Sequence, residues 1–244
     1  MVVRDYHRPS SLDEALRLLA RAGVTTVLVG GGTTLAARGE QGPVEIVDLQ
    51  GLDFDGIELE NGRVRIGAMV RLQALVDHAS VPPMVRDLAK REAASTFRNV
   101  ATVGGTLAAG DYESVLLAGF LAHRGVVGVA HASGSVELPL PDLLADRGRL
   151  DGGIITNLTM ESEGSLAYAA TGRTPADRPI VAAVLAGIGS ATRVALTGVA
   201  ATPVMIEPST IADLEPPGDF RGSSRYRKEL ARVLTERLMS SQTA

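Results

Sequence analysis

The apolar positions change period along the chain, and the changes mark out its elements. Residues 2–6 alternate as a short strand does. Ser11, followed three residues later by Glu14, spells a helix start, and Leu12, Ala15, Leu16, Leu18 and Leu19 supply its apolar face. Residues 25–29 are apolar and rich in β-branched side chains, the pattern of a buried strand, which stops at Gly30-Gly31-Gly32. Thr33 and Thr34 can cap a short helix running to Arg38, and residues 45–49 read as the next strand. Asn61-Gly62 joins two further strands, 57–59 and 64–66, as a hairpin turn that needs residues tolerant of positive φ. Residues 72–76 and 84–91 read as helices, the second opened by Pro82-Pro83.

Thr102-Val103-Gly104-Gly105-Thr106 reads as a second glycine turn, ahead of an apolar helix over 115–122 and strands at 126–129 and 136–138. A second unit is expected from Asp151-Gly152-Gly153 onward. It holds strands 154–158, 166–170, 180–185 and 192–198, a Pro-rich connection at 215–218 and a last helix over 224–238. The pattern is that of an α+β protein whose later part is richer in strands.

The two glycine turns are the candidate chemistry. Glycine lets another group approach the main chain, and consecutive N–H groups in such a turn can converge on an anion. Gly30-Gly31-Gly32-Thr33-Thr34 lies where a strand hands over to a helix, as a pyrophosphate cradle would; a ligand-free tight turn fits the same residues, because the G-x-G-x-x-G spacing is absent. The second turn, with threonines on both sides, would suit a second phosphate, or be a simple bulge.

Composition narrows the classes. With 244 residues, 45% hydrophobic and 21% charged, the chain can bury one large core or two smaller ones. A net charge of −4 offers no basic field for nucleic acid or an anionic membrane. No cysteine is present, so this chain alone ligates no iron–sulfur cluster and forms no disulfide. No apolar run reaches membrane-spanning length and the start lacks a signal-peptide core, so a cytoplasmic location is expected. His7, His78, His123 and His131 lack metal-ligand spacing, and Ser114 lacks a nucleophile-elbow glycine pattern. Asp48 fits a turn cap better than a ligand contact, and Arg98 an ordering role in the second loop better than a partner contact. The basic last helix, with Arg225, Arg227, Lys228, Arg232 and Arg237, reads as a solvated face or a subunit contact.

The glycine turns and their surroundings also resemble a family. Val29-Gly30-Gly31-Gly32-Thr33-Thr34-Leu35 resembles the first FAD loop in the medium subunits of molybdenum hydroxylases, the xanthine and carbon-monoxide dehydrogenase family. Val47-Asp48-Leu49 and Arg65-Ile66-Gly67-Ala68 are similar to the strands that follow it there. Phe97-Arg98-Asn99-Val100-Ala101-Thr102-Val103-Gly104-Gly105 resembles the family's second loop, the most specific match. Later matches, at 173–181, 193–200 and 220–227, fall in the family's order, so the resemblance spans nearly the whole chain.

The resemblance implies a two-lobed FAD-binding domain over 1–152 (lobes 1–52 and 53–152) and a small α/β domain of the carbon-monoxide dehydrogenase flavoprotein type over 153–244. It implies FAD as cofactor, held at Val29, Gly30, Gly31, Gly32, Thr33, Thr34, Ala68, Thr102, Gly104, Gly105, Asp111 and Ser114. The amides of Gly31, Gly32, Thr33, Thr34, Gly104 and Gly105 would grip the pyrophosphate. Partners would be a molybdopterin large subunit and a 2Fe-2S small subunit, with NAD or a quinone accepting the electrons. The chain departs from the family pattern at the ring end. Tyr112 and Val115 replace a proline and an acid, with Tyr112 open as a ring-stacking residue, and Ala169 and Ala170 stand where a lysine is common. An altered redox end, or a module that keeps the fold for assembly without flavin work, is therefore the alternative.

Overall fold

The computed structural model describes residues 2–35, 42–172, 174, 177–188 and 191–242. Strands β1 (Val2–His7), β2 (Thr26–Val29) and β3 (Pro43–Asp48) form a parallel sheet in the order β1-β3-β2, with α1 (Leu12–Leu19) crossing over between the first two. The α1 start follows the expected capping logic with one shift. Ser11 Oγ accepts from the Glu14 N–H at 3.2 Å, while the Glu14 carboxylate turns back to the N–H of Ser10 rather than of Ser11.

The second sheet has five strands, β4 (Ile57–Glu60), β5 (Arg63–Gly67), β6 (Val126–His131), β7 (Gly134–Pro139) and β8 (Ile154–Glu161), in the order β4-β5-β8-β6-β7. Asn61 and Gly62 turn the β4–β5 hairpin with φ of 50° and 75°. Between β5 and β6 run five helices: α2 (Leu72–Asp77), α3 (Pro83–Glu92), α4 (Ser95–Arg98), α5 (Val103–Ala109) and α6 (Val115–Ala122). A short α7 (Leu140–Ala145) follows β7. The third sheet is an antiparallel meander of β9 (Ser165–Thr171), β10 (Val181–Ile188), β11 (Ala191–Thr197) and β12 (Val204–Ile206), backed by α8 (Ser224–Gln242).

Three expectations need correction. The segment 102–106 is not a turn: Thr102 is the N-cap of α5, and both glycines lie in that helix's first turn. The boundary at 152/153 cuts through a sheet, because β8 pairs with β5 on one side and β6 on the other. The backbone ladder therefore keeps residues 154–161 with the second lobe, and the third sheet begins only at Ser165. Arg227 does not belong to a solvated face. It is fully buried, its guanidinium donating to Ile180 O (2.8 Å), Gly198 O (2.9 Å) and the Asp219 carboxylate (2.6 Å). The expected helix end at Arg38, and Arg173, Pro175 and Ala176 of the third-unit motif, lie outside the described residues.

The core sits around α6, whose eight residues are all buried. Leu88 of α3 covers one side, and Ala182, Val184, Ala186 and Ala195 of the third sheet cover the other. The alternate residues Val181, Ala183 and Leu185 face α8 instead, which explains why β10 reads as one unbroken apolar run. A sheet buried on both faces thus clamps α6 and brings β9 and the β9–β10 connection against the helices of the second lobe. Among the described residues no helix is long and apolar enough to cross a membrane.

Candidate functional site

The loop after β2 packs directly on the segment that leads into α5. A Cβ added at Gly31 would lie 1.9 Å from Val100 O, inside the backbone, so only glycine fits there. Gly32 adopts φ +69°, and Gln50 Nε2 donates to Gly30 O at 3.2 Å, pinning the loop from the side. Among the described residues no acceptor faces the N–H groups of Gly31, Gly32, Thr33 or Thr34, while Leu35 N–H donates to Gly32 O.

Across this loop the α5 start is satisfied internally. Thr102 Oγ1 accepts from Gly105 N–H at 3.1 Å, Val103 N–H donates to Val70 O, and Gly104 N–H donates to Ala68 O at 2.7 Å. The two amides expected to grip phosphate at Gly104 and Gly105 are thus engaged by the protein. Their glycines serve close approach, since a Cβ at Gly104 would stand 2.8 Å from the Ala68 methyl.

Three cavities adjoin this contact: one of about 480 Å³ touches it at Gly30, Gly31, Val100 and Thr102, and two others share a rim with each other. The smaller of those two, about 450 Å³, is mostly apolar; Val29, Leu49, Ala68, Met69 and Ile155 line it, with Arg147 at its side. Arg147 reaches across to cap α5, donating to Leu107 O and Ala108 O. The larger, about 840 Å³, runs from Thr33 past α3 and α4 to Asp111, Tyr168 and Arg178. Gly32, Thr34, Thr102 and Gly105 line both. The cavities are neighbours across one rim built of loop main chain and two threonines.

Val29, Gly30, Ala68 and Gly104 line the smaller cavity, Gly31, Thr33 and Asp111 the larger. Ser114 lines neither. It is 1% exposed and caps α6, its Oγ accepting from Leu117 N–H at 3.1 Å. Tyr112 also turns away: its carbonyl accepts from Gly198 N–H, and burial followed by the Glu113 carboxylate pushes its hydroxyl up. Two aromatic rings line the larger cavity, Phe97 of α4 and Tyr168 of β9, the latter with the Arg91 guanidinium 5.1 Å from its centroid.

Apart from Asp111, sequence reasoning missed the side chains at this end. Glu92, the last residue of α3, lines the cavity with its side chain 8% exposed. Its Oε2 accepts from Leu116 N–H at 3.0 Å. Burial raises its carboxyl above the usual range, against the pull of the Leu116 N–H, Ser114 and Arg178. Arg178, from the β9–β10 connection, pairs with Asp111 at 2.5 Å, and its carbonyl accepts from Arg221 at 2.5 Å. Arg221 also pairs with Glu113, so two arginines of the third unit clasp the α5–α6 connection. Arg98 keeps the ordering role expected of it, donating to Gln73, Lys90 O and Ala93 O. His7 meets Glu45 at 2.9 Å, Asp5 standing beside them. Arg21 occupies Glu45 at 2.5 Å, so the trio reads as an ion-pair cluster rather than a metal site.

The chain is similar to known proteins in sequence and in fold. The family model described as the FAD binding domain in molybdopterin dehydrogenase matches residues 2–160. The Escherichia coli protein YgfM is 30% identical over 96% of this chain and 94% of its own length. The medium chain of carbon monoxide dehydrogenase from Afipia carboxidovorans is 34% identical over 44% of this chain and 40% of its own. Carbon monoxide dehydrogenase from Hydrogenophaga pseudoflava superposes with a TM-score of 0.87 at 24% identity, covering 97% of this chain and 96% of that one.

Proposed function

The chain belongs to the family of FAD-binding domains found in molybdopterin dehydrogenases, and from that premise we propose that it is the flavin-carrying electron-transfer subunit of a molybdenum hydroxylase complex. The observation that carries the reading is the shared rim. A dinucleotide has two bulky ends joined by a pyrophosphate, and here two cavities meet at Gly32, Thr34, Thr102 and Gly105. The N–H groups of Gly31, Gly32, Thr33 and Thr34 supply donors for the pyrophosphate, each charge-assisted bond contributing about 1.5–3 kcal/mol. The smaller apolar cavity suits the adenosine end and the larger one the ring end. A bound flavin supplies reversible two-electron chemistry, while the protein positions it and sets its surroundings.

In this reading the electrons come from iron–sulfur clusters on a small partner subunit, fed by a molybdopterin large subunit, and leave to NAD or a quinone. The absence of cysteine fits, because the clusters must then sit on another chain. Among the sequence-derived candidates, Thr102 supports the rim through its cap, and Asp111 acts by holding Arg178 at the ring end. Ser114 holds α6 rather than the cofactor.

The test is reconstitution. Purified protein incubated with FAD and desalted is expected to retain one flavin per chain with a structured visible absorbance, and to co-purify with large and small subunits when the three are co-expressed. Co-purification without retained flavin would leave an assembly module and remove the electron-carrier role.

A further inference from the structure

The ring-end cavity contains a buried acid for which the phosphate rim has no use. Glu92 lies in the cavity wall beside the first turn of α6, and its nearest cation is shared with Asp111. Arg178 Nη2 stands 4.0 Å from Glu92 Oε1, while its Nη1 lies 2.5 Å from Asp111. The other groups facing it are Ser114 on α6, and Tyr168 on β9 with Arg91 stacked on its ring. Helix capping does not require this charge. Ser114 already caps α6 at Leu117, and a neutral amide would accept from Leu116 N–H without the cost of desolvating a carboxylate.

Resting on the flavin reading, we propose that Glu92 is the proton-holding residue of the ring chamber, giving up one proton for every two electrons that reach the cofactor. With flavin bound, the O–H bond at Oε1 would break and its proton would pass to the ring as two electrons arrive from the partner's iron–sulfur clusters. The ring then gains one net negative charge instead of two, and the Glu92 carboxylate is left facing Arg178. When an acceptor removes both electrons, the proton returns to Oε1. The arrangement follows from cost: two negative charges added near the buried Glu92 wall are more expensive than one, because repulsion is stronger where water is partly excluded. A buried carboxyl whose pKa burial raises, with a guanidinium nitrogen 4.0 Å away to face it once charged, meets both halves of that requirement.

Infrared difference spectra of the FAD-loaded protein, oxidised minus dithionite-reduced at mildly acidic pH, test the idea. The expected result is a protonated-carboxyl C=O band that disappears on reduction, shifts in heavy water and is missing in Glu92→Gln, a variant that keeps the acceptor for Leu116 N–H. A merely structural Glu92 would leave no such reduction-linked band. If Glu92→Gln loses its flavin, Arg178→Met replaces it: without the nearby cation the same band must persist to higher pH in the oxidised protein, and an unmoved titration overturns the proposal. Failure to take up any FAD overturns both readings, whereas FAD uptake with a band indifferent to reduction overturns this one alone.

Discussion

The phosphate rim and the ring chamber belong to one site but are built by different means. The rim is main chain. Gly31 fits because no Cβ can pass Val100 O, and its donors are loop amides with no acceptor among the described residues. The ring chamber is side chain. Glu92 comes from α3, Asp111 from the α5–α6 connection, and Tyr168 and Arg178 from the third sheet and its connection. The first depends on backbone shape within two short segments. The second exists only once a sheet from the far end of the chain has docked on α6. Replacing a side chain should therefore alter the ring end while sparing the rim, and disturbing the loop should abolish both.

The sharpest separation comes from Arg227, which is remote from both cavities but ties the β10 start, the end of β11 and Asp219 together. Arg227→Met leaves two carbonyls without their donor and takes the guanidinium from the Asp219 carboxylate, which keeps the Arg221 and Gly222 N–H groups, at an expected cost of about 3 kcal/mol in urea denaturation. Because the loss falls on the unit that supplies Tyr168 and Arg178, binding of FAD should weaken much more than binding of ADP, which uses only the rim and the smaller cavity. Equal weakening of the two would show that the rim also needs the third sheet. Gly31→Ala makes the opposite cut: its Cβ would sit 1.9 Å from Val100 O, costing about 2–3 kcal/mol, and both FAD and ADP binding should vanish in calorimetric titrations. Retained ADP binding would mean that the rim does not hold the pyrophosphate. Thr102→Val is milder. It removes the Gly105 cap for about 1 kcal/mol, seen as a lower melting temperature, with ADP affinity falling about fivefold.

The same division decides how much of the site is legible in the order of the amino acids. A main-chain cradle needs glycine at fixed spacing, so Gly30-Gly31-Gly32 stands out, and the strand ahead of it is plain from its β-branched run. Gly104 and Gly105 are harder, because paired glycines fit a turn or a helix start equally well. The deciding sign is Thr102, a cap residue three positions ahead of the amide it accepts. Ser114 carries the same sign, standing immediately ahead of an apolar helix. Arg227 also has a legible mark: with Ala231, Leu234 and Leu238 it follows the buried helical stripe, which places it inside. Glu92, Tyr168 and Arg178 carry no local mark, since tertiary docking alone brings them together. The position of β8 is equally hidden, because an apolar strand does not name the sheet it will join.

The smallest effect compares the two ends of α6, each of which has a buried ionisable group beside it. Glu92 stands at the N-terminal end, inside the ring chamber, and His123 at the C-terminal end, fully buried in the core. Burial depresses the imidazole pKa, outweighing the opposing pull of Glu161. The stability linked to His123 is therefore whole above about pH 6.5, the unfolded value, and is lost as pH falls from there toward the lower folded value. Burial raises the Glu92 carboxyl, so its contribution has the opposite sign: it is whole below the unfolded carboxylate value and is lost as pH rises through the folded one. The two trends oppose each other, so the wild-type melting temperature alone is uninformative, and the differences from variants must be read. Against wild type, His123→Leu should gain melting temperature progressively as pH is lowered from 7.5 to 5, and Glu92→Gln should gain it as pH is raised over the same interval. If flavin loading changes the Glu92→Gln difference but leaves the His123→Leu difference untouched, the acid belongs to the cofactor chamber and the imidazole only to the core. If loading moves both equally, α6 responds as one body and the distinction between its two ends fails.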